Sequence, residues 1–504
     1  MRRTSVTPLE RIRELQLILS KNKEAHYQEN SNVSSLQTVY SSEGSYGRER
    51  NVSAGELPPC AATSEPPWSQ PYFLWSRSYQ DRTTAKAAFA MVSRFPVCLL
   101  ISLPVLLVEG SLSSATPPPN PPPPPVDDPT WALGLRLYQA LRSDSSSVNT
   151  LFSPLLVASS LGALGAGAAG TTGSQFQDLL KNPSSSKASA QTGELLSTAL
   201  KSFIEANATA FHMHTSSAVF SKQAPPVSQA FVKDNKAKFR LQHQPLGKGG
   251  SKADLKQLHD WAKDSLGGLE AAPLEAELQV NTGALILANA LCFKGLWERE
   301  FSDDSVDRRT FLGKKYTKVL MMYRAGLYRH YEDIENMVQV LEAPLWGGKA
   351  SVVFLLPFHV ENLARLDKLL TLELLSKWLG KTNTTSVAIS LPRANISSKL
   401  SLQKQLLALG LTDAWDQKVA DFSGVSGGSK GKLHLSGVLH WASLELAPQA
   451  GKEEADLEEE NIEKPKMFYA DHPFIIFVRD NTTGALLLMG ALDHAEGEAL
   501  HDEL

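Results

Sequence analysis

The 504-residue chain has little cysteine. Cys60, Cys98 and Cys292 are all there is, too few for a disulfide framework. It has no excess of positive charge: 50 Lys and Arg stand against 53 Asp and Glu, a formal net charge of −3. Binding nucleic acid without sequence preference needs a basic surface that displaces counterions, so that class is excluded. The apolar run Val97–Val108 is 12 residues long, short of a membrane span. Also missing are a G-x-S-x-G elbow, a Walker sequence and a G-x-G-x-x-G turn after a strand. His212 and His214, at i and i+2, read as ordinary strand histidines, because no helical H-x-x-x-H pair or nearby cysteine completes a metal site. The glycine-rich stretches 247–250 and 424–431 lack phosphate-loop spacing and read as surface turns. No enzyme activity, cofactor or metal is expected.

What is present is unevenly spread. Arg94 followed by Val97–Val108, with small residues at Gly110 and at Ser113-Ser114-Ala115, has the charge, apolar run and cleavage chemistry of a secretory signal peptide over 91–110. Such a segment works at an N-terminus. Residues 1–90, of low complexity, therefore read as a disordered upstream extension foreign to the natural chain, with Met91 as initiator. Residues 111–504 carry 38 basic and 43 acidic side chains, a net of −5. Cys292, the one cysteine among them, reads as buried packing. Residues 111–130, with Pro117–Pro119, Pro121–Pro125 and Pro129, form an extended linker. A folded domain is expected over 131–495 and a tail over 496–504. The tail ends His501-Asp502-Glu503-Leu504, the tetrapeptide by which a retention receptor returns proteins to the ER lumen. Sequons at Asn207, Asn383, Asn395 and Asn481 become usable glycosylation sites there.

Apolar spacing predicts helices over 131–142, 153–169, 252–266 and 361–379, the second with Ser153 as N-cap and Pro154 in its first turn. Residues 284–293 and 351–358 are almost wholly apolar, as strands covered on both faces are. Residues 386–391 alternate. Segments 474–479 and 485–490 flank Asp480-Asn481-Thr482-Thr483-Gly484, a hairpin connection. Helices and strands are mixed without strict alternation, so the class is α+β.

Residues 467–490, MFYADHPFIIFVRDNTTGALLLMG, resemble the serpin signature, with Asp471, Pro473 and Phe474 at its characteristic positions. Residues 152–172 (FSPLLVASSLGALGAGAAGTT), 289–301 (NALCFKGLWEREF) and 391–415 (LPRANISSKLSLQKQLLALGLTDAW) match further serpin blocks in the right order. The likeness runs from about 131 to 493. It implies three β-sheets, about nine helices and an exposed reactive-centre loop between 446 and 466. Within the family the chain looks most like clade H, the collagen-binding branch resident in the ER. The points of likeness are Phe468–Phe474, Met321-Met322, Gly326-Leu327-Tyr328 and VAISLP at 387–392. Met467 departs from that branch, which carries leucine there.

The resemblance implies a partner and a site. The collagen triple helix displays Arg side chains outward along its Gly-X-Y repeat. A carboxylate on a rigid sheet can take a guanidinium bidentately. By resemblance Asp471 is that carboxylate, Arg309 a basic contact, and Tyr469 and Met467, at i−2 and i−4, the apolar cover on the same face. His472 and His359 match histidines that titrate on release in an acidic compartment, with His440 a further candidate. Four more such histidines are replaced here by Phe358, Tyr323, Ser302 and Asp303. Beside this reading stands a luminal serine-type endopeptidase inhibitor. It would insert its cleaved loop into a sheet, yet residues 453–460 hold six carboxylates, and an unpaired buried carboxylate costs several kcal/mol or is forced to take up a proton. A non-inhibitory, collagen-binding chaperone is the expectation.

Overall fold

A computed structural model of the protein describes residues 127–499, except 144–148, 182–189, 223–225, 270, 272–277, 279, 303–307, 361–362, 429–432 and 452–459. The signal-like segment, the upstream extension, most of the proline-rich linker and the terminal tetrapeptide lie outside the described residues. No helix among them is long and apolar enough to cross a membrane.

Ten α-helices are present among these residues: α1 Pro129–Arg142, α2 Pro154–Gly165, α3 Gly170–Leu180, α4 Ala190–Glu205, α5 Gln229–Phe239, α6 Ser251–Ser265, α7 Leu363–Leu369, α8 Leu372–Lys381, α9 Gln403–Ala408 and α10 Ser423–Ser426. The strands are β1 Thr150–Phe152, β2 Phe211–Lys222, β3 Leu241–Leu246, β4 Ala284–Gly295, β5 Arg308–Leu312, β6 Tyr316–Asp333, β7 Val338–Pro344 and β8 Ala350–Pro357. They continue with β9 Asn383–Pro392, β10 Ala394–Ser401, β11 His434–Leu446, β12 Lys466–Tyr469, β13 Phe474–Asp480, β14 Leu486–Leu492 and β15 Glu498–Ala499. The α+β class holds.

Local chemistry explains several boundaries. Helix α1 begins at Pro129, two residues before its apolar pattern, because Asp128 accepts from the Thr130 amide at 2.7 Å and proline fits the first turn. Ser153 caps α2 by accepting from Leu156 N–H at 3.2 Å, a device worth about 1 kcal/mol. The continuous helix expected over 361–379 is two helices. The chain breaks at Leu370-Thr371, where the Thr371 hydroxyl accepts from Leu374 N–H and starts α8 afresh. The 480–484 connection turns as expected: Asp480 accepts from Thr482 N–H at 2.7 Å, and Gly484 takes φ +79°, a conformation that favours glycine.

Two hydrogen-bonded sheet systems organise the chain. One runs β10-β11-β4-β2-β3. The other runs β1-β14-β13-β8-β7-β6-β9-β12, with β5 and β15 also paired to β6. The 18-residue β6 serves both halves of this second system, so two of the three sheets implied by the resemblance appear as one connected network. The apolar run of β4 has a simple cause. Leu285, Leu287, Leu291 and Phe293 enter the main core, while Ile286, Ala288, Ala290 and Cys292 enter a second core with Leu258 and Ala262 of α6. A strand covered on both faces is apolar except where a partner is at hand: the buried Asn289 accepts from the Ser217 hydroxyl at 2.7 Å and donates to Ser160 Oγ at 3.1 Å. The exposed stretch 247–250 has a structural duty: the carbonyls of Gly247 and Gly249, with both carboxylate oxygens of Asp254, surround the buried Lys222 ammonium at 2.6–2.9 Å.

Candidate functional site

The strands β12, β9 and β6 lie side by side, with β12 at the edge. Parallel pairing sets Met467 against Ala388 and Tyr469 against Ser390. Antiparallel pairing carries those rows on to Ala325 and Tyr323 of β6. Residues in register share a face, and alternate residues along a strand return to it. The outward face therefore presents Met467 and Tyr469 on one wall and Tyr323 and Leu327 on the other. Its floor is the small residues Ala388 and Ser390 of β9. Met467, Tyr323 and Leu327 are 56%, 45% and 39% exposed, unusual for large apolar side chains. The inward face is closed, with Phe468 fully buried against Phe354 and edge-on to His330. Two strand spacings separate the backbones of the two walls by about 10 Å, and the side chains of the walls leave Ala388 and Ser390 between them only 2% exposed, so the arrangement is a shallow apolar groove with a covered floor.

Charge sits at its end. Asp471 follows β12 by two residues with a partly exposed side chain, and its carbonyl accepts from Leu312 N–H of β5 at 2.7 Å. That bond fixes β5 beside the groove. The Arg309 guanidinium on β5 lies 5.8 Å from the centre of the Tyr469 ring. The structure thus brings together all four residues that the sequence named: Met467, Tyr469, Asp471 and Arg309. Sequence reasoning passed over the groove floor and far wall. Ser390 is almost fully buried, and its hydroxyl has no hydrogen-bond partner among the described residues. The period-2 pattern of Tyr323, Ala325 and Leu327 was the available signal for the far wall.

The three histidines separate. His472 is buried beside the site. Its Nε2–H donates to the Pro357 carbonyl at 2.7 Å, and Nδ1 lies 2.9 Å from Asp471 Oδ1. Both ring nitrogens therefore face oxygen atoms. His359 is exposed on the segment after β8. His440 is not a switch. It is fully buried in β11, its Nε2 accepts from Ser153 N–H at 2.9 Å, and burial pushes its pKa down to about 3. Protonating it would remove the acceptor that Ser153 needs, and desolvation opposes the charge.

The sequons differ in what they offer. Asn395 and Asn383 are exposed. The Asn207 amide is tied to both backbone groups of Met213, and Asn481 bonds Gly348 and Ser351.

Comparison with known proteins identifies the family. The family model described as serpin (serine protease inhibitor) matches residues 130–494. Serpin H1 of Mus musculus is 36% identical over 375 residues, covering 74% of this chain and 88% of the relative. Serpin H1 of Gallus gallus is 36% identical over 380 residues, covering 75% and 92%. Among solved structures, uncleaved ovalbumin superposes with a TM-score of 0.64 at 23% identity, covering 73% of this chain and 99% of ovalbumin. That last likeness speaks to the fold alone.

Proposed function

The chain belongs to the serpin family, within clade H, and on that premise we propose that it is a non-inhibitory chaperone of the ER lumen that binds folded procollagen at Arg-bearing Gly-X-Y repeats. The observation that carries this reading is the pair of exposed apolar walls with a partly exposed carboxylate at their end. A triple helix is a rod without pockets, and it needs a shallow, rigid, partly apolar surface rather than a cavity. Asp471 takes a guanidinium of the rod, while Tyr469 and Met467 cover its apolar stem. Arg309, stacked toward Tyr469, faces the rod's carbonyls. His472 supplies the response to acid, since as an imidazolium it draws on the same carboxylate that the guanidinium needs. The signal-like segment and the terminal HDEL support residence in the ER lumen, with the retention receptor as second partner.

The experiment is binding of the protein to two triple-helical peptides that differ only in one Arg. Binding to the Arg peptide and not to the other supports the reading, and equal binding to both removes it. The family's inhibitors favour a second reading, a luminal serine-type endopeptidase inhibitor. The pairing of β11 directly with β4 is the loop-out arrangement from which an inhibitor would start. Incubation with trypsin-like proteases separates the two, and no SDS-stable complex is expected.

A further inference from the structure

The far edge of β6 has an unusual neighbour. At Tyr323 it exchanges backbone hydrogen bonds with Ser302, at 2.8 and 3.0 Å. Four residues on, the Leu327 N–H points the same way, and among the described residues no strand meets it. It donates instead to Oε1 of Glu460 at 3.0 Å. Glu460 lies at the far end of the loop between β11 and β12, yet its carboxylate is only 14% exposed. Oε2 of the same group takes the Arg324 guanidinium at 2.5 Å, with Arg299 at 3.6 Å. Arg324 in turn donates to the Glu300 carbonyl, which fastens β6 to the segment before Ser302. Gly326 makes room for this: a Cβ there would stand 3.1 Å from Glu460 Oε2 and 2.9 Å from the Tyr328 ring. A side-chain carboxylate thus takes the place that a neighbouring strand's carbonyl would fill at an open sheet edge.

The strand held in this way is the groove's far wall. Tyr323 and Leu327 face the groove, while Arg324 and Gly326 between them face Glu460. We propose that Glu460 is a positioning residue for the groove: seated on Arg324 and Arg299, it pins the edge of β6 at Leu327 and couples the loop to the Tyr323–Leu327 wall. This rests on the groove being the ligand site. The coupling is reciprocal by linkage. A ligand that bridges the two walls favours the seated carboxylate, and unseating the carboxylate weakens the ligand. The charges around the seat are balanced, with Glu298 and Glu460 facing Arg299 and Arg324, and burial raises the pKa of the Glu298 carboxyl, with Arg299 opposing and Glu460 adding to the rise.

The test is amide hydrogen exchange on the full chain, with an Arg-bearing triple-helical peptide as ligand probe. In Glu460→Ala the Leu327 amide should exchange about tenfold faster, as local opening does when its acceptor is removed. The amides of Ala388 to Ser390 on the groove floor should accelerate with it, without ligand. Peptide affinity should fall about three- to tenfold, within the usual range of site coupling. Glu460→Gln, which keeps an acceptor for Leu327 but loses the charge on Arg324, should recover part of both. Peptide should slow Leu327 exchange in the wild type and not in Glu460→Ala, a response that a purely structural residue would not give. Unchanged Leu327 exchange overturns the proposal, and so does faster Leu327 exchange with unchanged floor amides and affinity. If the wild type ignores the peptide while the floor amides respond to Glu460→Ala, the coupling stands and the collagen reading falls.

Discussion

Two parallel strand pairs in this molecule resemble each other in hydrogen bonding and differ in everything around them. The β4–β11 pair runs from Ala284 opposite His434 to Lys294 opposite Glu445, with one shift of register between Leu435 and Gly437. Its side chains are buried on both faces, and the Lys294–Glu445 ion pair, at 2.8 Å, closes its end. The β9–β12 pair spans only Lys466–Tyr469 opposite Val387–Ser390. It lies at a sheet edge with one face open. The long pair is a seam, in which nearly every side chain is committed to packing. The short pair is a display, in which Met467, Tyr469 and the adjoining Asp471 are held by the strand but left to solvent. Substitutions should cost stability in the first and binding in the second.

The largest effect expected on the display side is that of Asp471→Asn. Asn keeps the size and one acceptor but loses the charge and the paired oxygens that match a guanidinium. Hydrogen bonds to charged groups contribute about 1.5–3 kcal/mol, so affinity for an Arg-bearing triple helix should fall about ten- to a hundredfold. Circular dichroism and melting temperature should stay near wild type, because the Asp471 carbonyl, not its carboxylate, holds β5. Binding equal to wild type would make the side chain a structural one and leave the display without its charge.

On the seam side the comparable effect is one of pH on stability. His440 in β11 stays neutral in the fold, with its pKa pushed down to about 3, while an unfolded histidine titrates near 6.5. Below that value the unfolded chain takes a proton that the folded chain refuses. The stability it contributes is therefore complete above about pH 6.5 and is lost as pH falls toward 3. The loss should reach about 2 kcal/mol at pH 5, in the same direction as that from His330 and His434, whose pKa values burial also lowers. Urea unfolding at pH 7 and pH 5 measures it. His440→Gln, which can accept from Ser153 N–H without titrating, should show a flatter dependence on pH, and an equally steep one would remove His440 from the account.

A smaller step follows from Tyr469→Ala. The ring supports the Arg309 guanidinium at 5.8 Å, and a cation–π contact at an exposed site contributes about 0.5–1 kcal/mol. Titration of the Arg peptide should show an affinity loss of about two- to fivefold, clearly less than for Asp471→Asn. A Tyr469→Ala loss equal to or greater than that of Asp471→Asn would shift the weight of recognition from charge to apolar cover.

The same contrast explains what could be read in the sequence. The seam was legible because burial on both faces leaves a nearly continuous apolar run: 284–293 lies within β4, and the similar run 351–358 overruns β8 by one residue. The near wall of the display was legible only through resemblance, since nothing in the alternation of Met467, Tyr469 and Asp471 distinguishes a binding row from an ordinary solvent face. The far wall was not read as part of the site because the alternation of Tyr323, Ala325 and Leu327 marks a strand face but not the register with β9 that sets it opposite Met467 and Tyr469. His440 was misread for the same reason: its acceptor role toward Ser153 spans 287 residues. The break at Leu370-Thr371 was hidden by leucines that keep helical spacing across both α7 and α8.

The smallest expected effect is the most discriminating. If the loop is cut between Gly451 and Glu460, an inhibitor would insert the freed strand between β4 and β11 and gain a large increase in melting temperature. Here insertion would turn alternate loop residues inward. One phase buries Glu453 and Glu459, the other Glu454, Asp456 and Glu458, so no register avoids carboxylates. Each, without a partner, costs several kcal/mol or takes up a proton. Entry would also split Lys294 from Glu445 at the mouth of the seam and draw Gly451 away from the Trp297 carbonyl, to which its N–H donates at 3.0 Å. The melting temperature should therefore change by no more than about 3 °C, the scale of a 1 kcal/mol change in a domain of this size. A nick followed by differential scanning fluorimetry at pH 7 decides it. A rise of tens of degrees would show that the seam opens in spite of the carboxylates, and the distinction between a closed seam and an open display would fail. The scan repeated at pH 4.5 isolates the cause: protonated carboxyls enter a sheet more cheaply than carboxylates, so any stabilisation by the nick should be greater there than at pH 7.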